Sequence, residues 1–283
     1  MTDQAAGIRR PLTPIGEGFR SRTYRSADGL VVRLPKNATA MAMQRQLNAT
    51  LNVLASRITA LPIPGPVRAM TPSPEFPFGG LTYPLLPGRP LRPADITSRN
   101  RAALARQLAA FLHELHALDP GLFAGIALAR FPLSPDELRH RWGRCAAYLQ
   151  AVLAAPSYAR VARWYGAAFR TLAADPPRAG VIHGDLWHEN LLFDGHQLVG
   201  ILDFECVGIG PPVADLMTLG YLGDDFLAAA VGAYRRREPI FAYDAGLARR
   251  LLGIRELEGL VYGLVTDDVD PDTVGKIVAV VGT

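Results

Sequence analysis

Apolar and polar positions follow two different rhythms along this chain. Near the start they alternate. Residues 14–24 predict strand, glycine turn and strand, and Ala27-Asp28-Gly29 predicts a hairpin turn. Leu30–Lys36 predicts a strand with Val31 and Arg33 on one side and Val32 and Leu34 on the other. From Asn37 to about Ile58 the spacing becomes helical. Leu47, Leu51 and Leu54 form the stripe, and Asn37 or Thr39 can cap it. Prolines keep residues 61–67 extended, and residues 72–80 are turn-rich. A strand from Leu81 is broken by Pro84 and Pro87-Gly88, which suits a sheet edge or a hinge better than a sheet interior.

The rest reads as mostly helical. Arg99–Leu118 carries Leu104, Leu108, Phe111, Leu112 and Leu115 on one face, and Asp119-Pro120-Gly121 ends it. Two helices follow over Pro135–Leu153 and Tyr158–Ala174. Their Trp142, Tyr148, Trp164, Tyr165 and Phe169 read as core or pocket wall, and Asp175-Pro176-Pro177 breaks the chain after them. Short strands return at Val181-Ile182 and Leu191–Phe193, and Val199–Glu205 reads as a buried strand ending in acid. Helical stretches at 217–222, 226–234 and 243–264 precede a short tail.

Composition narrows the class. The 283 residues carry 49% apolar and 20% charged side chains, ordinary for a globular chain with a sizeable core. Two cysteines, Cys145 and Cys206, show no metal-binding spacing and make a disulfide framework improbable; a reducing cytoplasm is expected. No secretory leader is read, and no apolar run reaches the ~18 residues that span a membrane. The net charge of +4 is unevenly spread: +7 over residues 1–90, +6 over 91–180 and −9 over 181–283. A basic first part suits a polyphosphate, and an acidic last third suits a divalent cation or a cationic small molecule. Arg235-Arg236-Arg237 alone is no nucleic-acid stripe, so no nucleic-acid partner is expected.

Candidate chemistry concentrates in His183-Gly184-Asp185, with Asn190 five residues beyond Asp185 and Asp203 at the end of the next apolar strand. This H-G-D-x-x-x-x-N…D pattern resembles the aminoglycoside phosphotransferase family, whose catalytic loop has His-Gly-Asp where protein kinases have His-Arg-Asp. The resemblance implies an α+β, protein-kinase-like bilobal fold. A β-rich nucleotide-binding lobe would span residues 1–87 and a helical lobe residues 88–283. It also implies phosphoryl transfer from ATP or GTP, with Mg2+, to a hydroxyl of a small molecule. In that chemistry Asp185 orients or accepts the hydroxyl proton, and Asn190 and Asp203 offer oxygens to the metal. Gly208-Ile209-Gly210-Pro211 leading to Asp215-Leu216 fits the same family, with Asp215 bracing the catalytic loop and His183 supporting it.

The nucleotide side is less regular. Gly16 and Gly18 flank a turn open to phosphate, followed by Phe19, with Arg20 and Ser21 where a third kinase glycine would stand; Ser21 could donate to phosphate. Arg33 occupies the position of the kinase strand lysine, with Lys36 as the fallback. Residues 37–58 contain no acid to pair with it, which leaves Gln44 or Gln46 as a hydrogen-bonding substitute. By resemblance, Tyr83 to Leu86, among them Leu85, line the purine hinge. Asp224, Asp225 and Glu256 are the acids expected toward a cationic acceptor. His113 and His116 read as structural, and Cys206 as a buried small hydrophobe. An aminoglycoside is the leading acceptor; a macrolide, a sugar or an amino-alcohol are alternatives. The irregular clamp also leaves open a nucleotide-binding module without transfer.

Overall fold

The computed structural model describes residues 2–3, 8–18, 20–131, 135–174, 179–237 and 245–282. Phe19, the 175–177 break and the expected helix start at Tyr243 lie outside them. The first lobe is built on a five-stranded antiparallel sheet. Its strands are β1 (Thr13–Glu17), β2 (Ser21–Arg25), β3 (Leu30–Pro35), β4 (Arg68–Met70) and β5 (Gly80–Pro84), in the order β1-β2-β3-β5-β4. One helix, α1 (Ala38–Ala55), crosses this sheet; Asn37 caps it by accepting from Ala40 N at 2.9 Å. The alternation of β3 sends Val32 into a small buried cluster with Ile8, Met70 and Phe76, leaving Arg33 to the opposite face. β5 is an interior strand rather than an edge. It tolerates Pro84 because that residue is its last, where the missing N–H interrupts no further pairing.

The second lobe packs α2 (Arg101–His116), α3 (Pro135–Val152), α4 (Ala155–Ala174), α5 (Val213–Met217), α6 (Asp224–Arg237), α7 (Ala245–Thr266) and α8 (Thr273–Gly282) around one core. The stripe Leu104, Leu108, Phe111, Leu112 and Leu115 is fully buried, as its spacing predicts. Tyr165 and Tyr234 are the largest fully buried side chains among the described residues, and the Tyr165 hydroxyl donates to Gly253 O of α7. The expected tail is instead helix α8. Its run of Val and Ile favours strands by propensity, but Ile277, Val280 and Val281 are buried and pack against α7 and α4. Among the described residues no helix is long and apolar enough to cross a membrane.

Short strands deliver the functional loops to the junction of the lobes. β6 (Gly180–Ile182) pairs antiparallel with β9 (Gly208–Gly210), and β7 (Leu191–Phe193) pairs antiparallel with β8 (Leu198–Ile201). Residues 183–190 therefore leave one ladder and enter another. Residues 202–207 leave β8 and enter β9 beside them.

Candidate active site

The 183–190 loop is held by hydrogen bonds that its own residue types supply. His183 is fully buried. Its Nδ1 accepts the Asp185 N–H at 3.3 Å, which leaves Nε2 to donate to Leu202 O at 2.9 Å, and its ring lies 4.7 Å from that of Phe204. Gly184 sits at φ +80°, and a Cβ there would collide with the Cys206 carbonyl oxygen, so only glycine fits between the two loops. Asp215 is fully buried and accepts from His183 N at 2.8 Å and Gly184 N at 2.9 Å. His116 Nε2 meets the same carboxylate at 3.0 Å, and its Nδ1 lies 2.8 Å from the Tyr234 hydroxyl. Burial alone would raise the Asp215 carboxyl, but the His116 contact and the backbone amide hold it below the usual carboxylate range. His116 is thus structural, as read from sequence, and what it supports is the loop brace.

Two side-chain oxygens are left for a cation. Asn190 is buried and donates its amide N–H to Asp185 O at 2.8 Å, which leaves its Oδ1 to accept a cation. Asp203 holds φ at 58°, one of two positive values among the described non-glycine residues, and its buried Oδ1 has no protein partner. Both residues line one cavity. A hard oxygen pair of this kind, open to a phosphate, fits Mg2+, which takes one or two protein groups together with substrate oxygens. Among the described residues no larger cluster of His, Cys, Asp and Glu competes for it.

That cavity, of about 430 Å³, lies between the lobes. Gly16, Arg33, Tyr83 and Leu85 line it together with Asn190 and Asp203. Gly18 and Ser21 do not: Gly18 N closes the turn onto Ser21 O at 2.9 Å, and Ser21 is buried opposite Pro35. Leu85 donates its own N–H to Gly29 O at 3.1 Å, so a purine would have to meet other hinge groups. Lys36 points away and pairs with Glu17 at 2.7 Å, as the alternation of β3 requires.

The missing helix acid is replaced from another element. Arg33 forms a partly buried ion pair with Glu205, two residues after Asp203, and Arg20 approaches the same carboxylate at 3.6 Å. Gln44 does not take the expected role; its amide donates to the Arg33 backbone carbonyl at 3.3 Å, and Gln46 is exposed. Arg33 is therefore tied to the loop that carries Asp203 rather than to α1. Cys206, next in line, is an exposed residue rather than the buried one expected, but the protein around its sulfur desolvates the thiol and, with the neighbouring carboxylates, pushes its pKa up to about 11.

A second, wider cavity of about 790 Å³ is lined by Asp185. Trp187, His188, Tyr221 and Tyr262 line it with Arg255, Lys276 and the acids Glu256, Glu258, Asp268 and Asp270. Arg255 of α7 ion-pairs with Asp185 Oδ1. Glu256 accepts from the Tyr221 hydroxyl, Glu258 pairs with Arg141 at 2.8 Å, and Asp270 pairs with Lys276 at 3.1 Å. Residues two apart on a helix diverge, so Glu256 and Glu258 reach this cavity toward opposite neighbours. Burial raises the Glu258 carboxyl despite Arg141 and Arg255. Asp224 and Asp225 are not in the cavity. They sit in the first turn of α6 and pair with Arg249 at 3.3 Å and Arg101 at 2.9 Å, a placement that also suits the helix dipole. Sequence reasoning missed Glu205, Arg255 and Tyr221. Only Arg255 left a trace, as a lone cation in the otherwise apolar run Leu251–Ile254 and Leu257.

Residues 11–248 match the model of the phosphotransferase enzyme family, APH. The chain belongs to this family. An uncharacterised protein of Deinococcus radiodurans is 31% identical over 218 residues, or 71% of this chain; the match spans 60% of that relative's own length. Among solved structures, the GDP complex of wild-type aminoglycoside 2'-phosphotransferase-IIIa superposes with a TM-score of 0.77 at 18% identity, covering 99% of this chain and 93% of that one. A GDP and kanamycin complex of APH(2")-IIia gives 0.78 at 18%, covering 99% and 94%. Macrolide 2'-phosphotransferase MphH of Brachybacterium faecium gives 0.67 at 22%, covering 98% and 94%. At these identities the structural likeness establishes the fold: an antiparallel first lobe and a helical second lobe of the kinase-like type.

Proposed function

We propose that this family member transfers a phosphoryl group from ATP or GTP to a hydroxyl of a cationic small molecule, an aminoglycoside being the leading acceptor class. The observation that carries the reading is that Asp185 lines the cavity walled by carboxylates, while Asn190, bonded to the Asp185 carbonyl, lines the other cavity together with Asp203 and its unpartnered oxygen. Asn190 and Asp203 would hold Mg2+, which when bound neutralises charge on the nucleotide phosphates. Asp185 accepts or orients the proton of the acceptor hydroxyl. Its backbone is held in place for this by His183 and Asn190. Arg33 would exchange part of its contact with Glu205 for a phosphate oxygen. The solved relatives bound to GDP and to kanamycin support this assignment of the two cavities by analogy.

One observation favours a second acceptor class. Of the five carboxylates lining the acceptor cavity, Asp185, Glu256, Glu258 and Asp270 already have side-chain partners among the described residues, and Asp268 is the one of the five that does not. With Trp187, Tyr221 and Tyr262 in the wall, a macrolide with a single amine also fits. The test is a panel of aminoglycosides, macrolides, sugars and amino-alcohols, each with ATP and with GTP, read by coupled release of the nucleoside diphosphate. Turnover on an aminoglycoside is the expected result, and turnover on macrolides alone selects the second class. Nucleotide binding with no transfer to any compound would overturn the enzymatic reading in favour of a nucleotide-binding module.

The unusual clamp has its own expected outcome. Arg33→Met removes the one cleft-lining strand cation. Nucleotide affinity by isothermal titration should fall about 10- to 100-fold, the size of a lost charge-assisted hydrogen bond. Lys36→Met, on the outer face, should leave it unchanged.

A further inference from the structure

We propose that Arg255 is a positioning residue for Asp185: it holds one carboxylate oxygen so that the other is presented to the acceptor hydroxyl. The inference rests on the phosphotransfer reading above. The backbone of Asp185 is fixed at both ends, by His183 Nδ1 on its N–H and by Asn190 Nδ2 on its carbonyl. Its carboxylate is not fixed by the loop at all. Among the described residues the only side chain on it is Arg255, on Oδ1. A carboxylate swings about two side-chain torsions, and phosphoryl transfer depends on a narrow approach of the hydroxyl, so an anchor on one oxygen decides where the other points.

The anchor stands on a rigid base. The Gly253 carbonyl receives the Tyr165 hydroxyl, and a Cβ at Gly253 would collide with the Trp164 ring. Glu256 is tied to Tyr221, and Glu258 is tied to Arg141 at 2.8 Å. The turn of α7 that carries Arg255 is therefore pinned on each side, and Leu252, Ile254 and Leu257 bury its remaining faces. A guanidinium serves this role better than an ammonium because its planar fork is stiff once one N–H is engaged.

The opposite reading of the same contact is a latch, in which Arg255 occupies the carboxylate and must leave before an acceptor binds. Steady-state kinetics on the enzyme separates the two, using the best acceptor from the panel with Arg255→Met, Arg255→Lys and Asp185→Asn. A positioning role predicts that Arg255→Met lowers kcat about 10- to 100-fold, as misplacement of a reacting group does. The nucleotide KM and the thermal shift on adding nucleotide stay at wild-type values, and Arg255→Lys recovers part of the loss. On the Asp185→Asn background the Arg255→Met change should cost nothing further, since the two act as one unit. An unchanged or raised kcat in Arg255→Met overturns the proposal, a raised one in favour of the latch. A loss that adds fully to that of Asp185→Asn also overturns it. If the wild type phosphorylates no acceptor, the functional reading fails and takes this inference with it. An active wild type beside an equally active Arg255→Met sinks the inference alone.

Discussion

Asp185→Asn should lower kcat about 10²- to 10⁴-fold, the range for removing a positioned general base. The nucleotide should still bind, because the interlobe cavity is lined by Arg33, Asn190 and Asp203 and not by Asp185. The amide is nearly isosteric with the carboxylate and is 24% exposed in the side chain, so the fold loses little. What disappears is the acceptor for the hydroxyl proton, together with the negative partner of Arg255. Single-turnover kinetics with nucleotide and acceptor both saturating isolates this chemical loss from binding. Near-normal turnover in Asp185→Asn would mean that Asp185 is not the proton acceptor, and the catalytic assignment of the loop would fall with it.

The largest effect on stability is expected at Asp215, far less exposed and more heavily bonded. Asp215→Ala deletes two backbone hydrogen bonds to His183 and Gly184 and leaves His116 without its carboxylate in a fully buried site. Breaking a buried pair by removing one partner costs about 3–5 kcal/mol. For a chain of this size that corresponds to a Tm lower by roughly 10 °C. The direction with pH follows from the depressed carboxyl. Because the folded-state value lies below the ordinary 3.8, the stabilisation is complete above about pH 4 and is lost as pH falls through the lower folded value. Acid unfolding followed by circular dichroism should therefore show a steeper loss below pH 4 in the wild type than in Asp215→Asn. Equal acid slopes in the two proteins would rule out the brace as a source of stability. Turnover should also drop in both variants, since Asp215 sets the backbone on which Asp185 stands.

The sequence by itself determined the candidate centre. His183, Gly184, Asp185, Asn190, Asp203 and Asp215 are close in the chain, and each is a residue type that its proposed role physically demands. Gly184 shows this plainly: only a residue without a Cβ passes the Cys206 carbonyl, so the requirement is written in the chain as glycine. The alternation of β3 likewise separated Arg33 from Lys36, because strand periodicity is local. What only the tertiary structure decided are the partners. Glu205 replaces an acid expected on α1, Arg255 arrives at Asp185 from seventy residues away, and Asp224 and Asp225 turn to Arg249 and Arg101 instead of to the cavity. Helix α8 is of the same kind, a β-prone run made helical by the faces of α7 and α4. Local rules settle side-chain type and the facing of residues along an element such as β3. Which charge meets which is a matter of how the helices pack, and that depends on contacts distant in the chain which no short window of sequence contains.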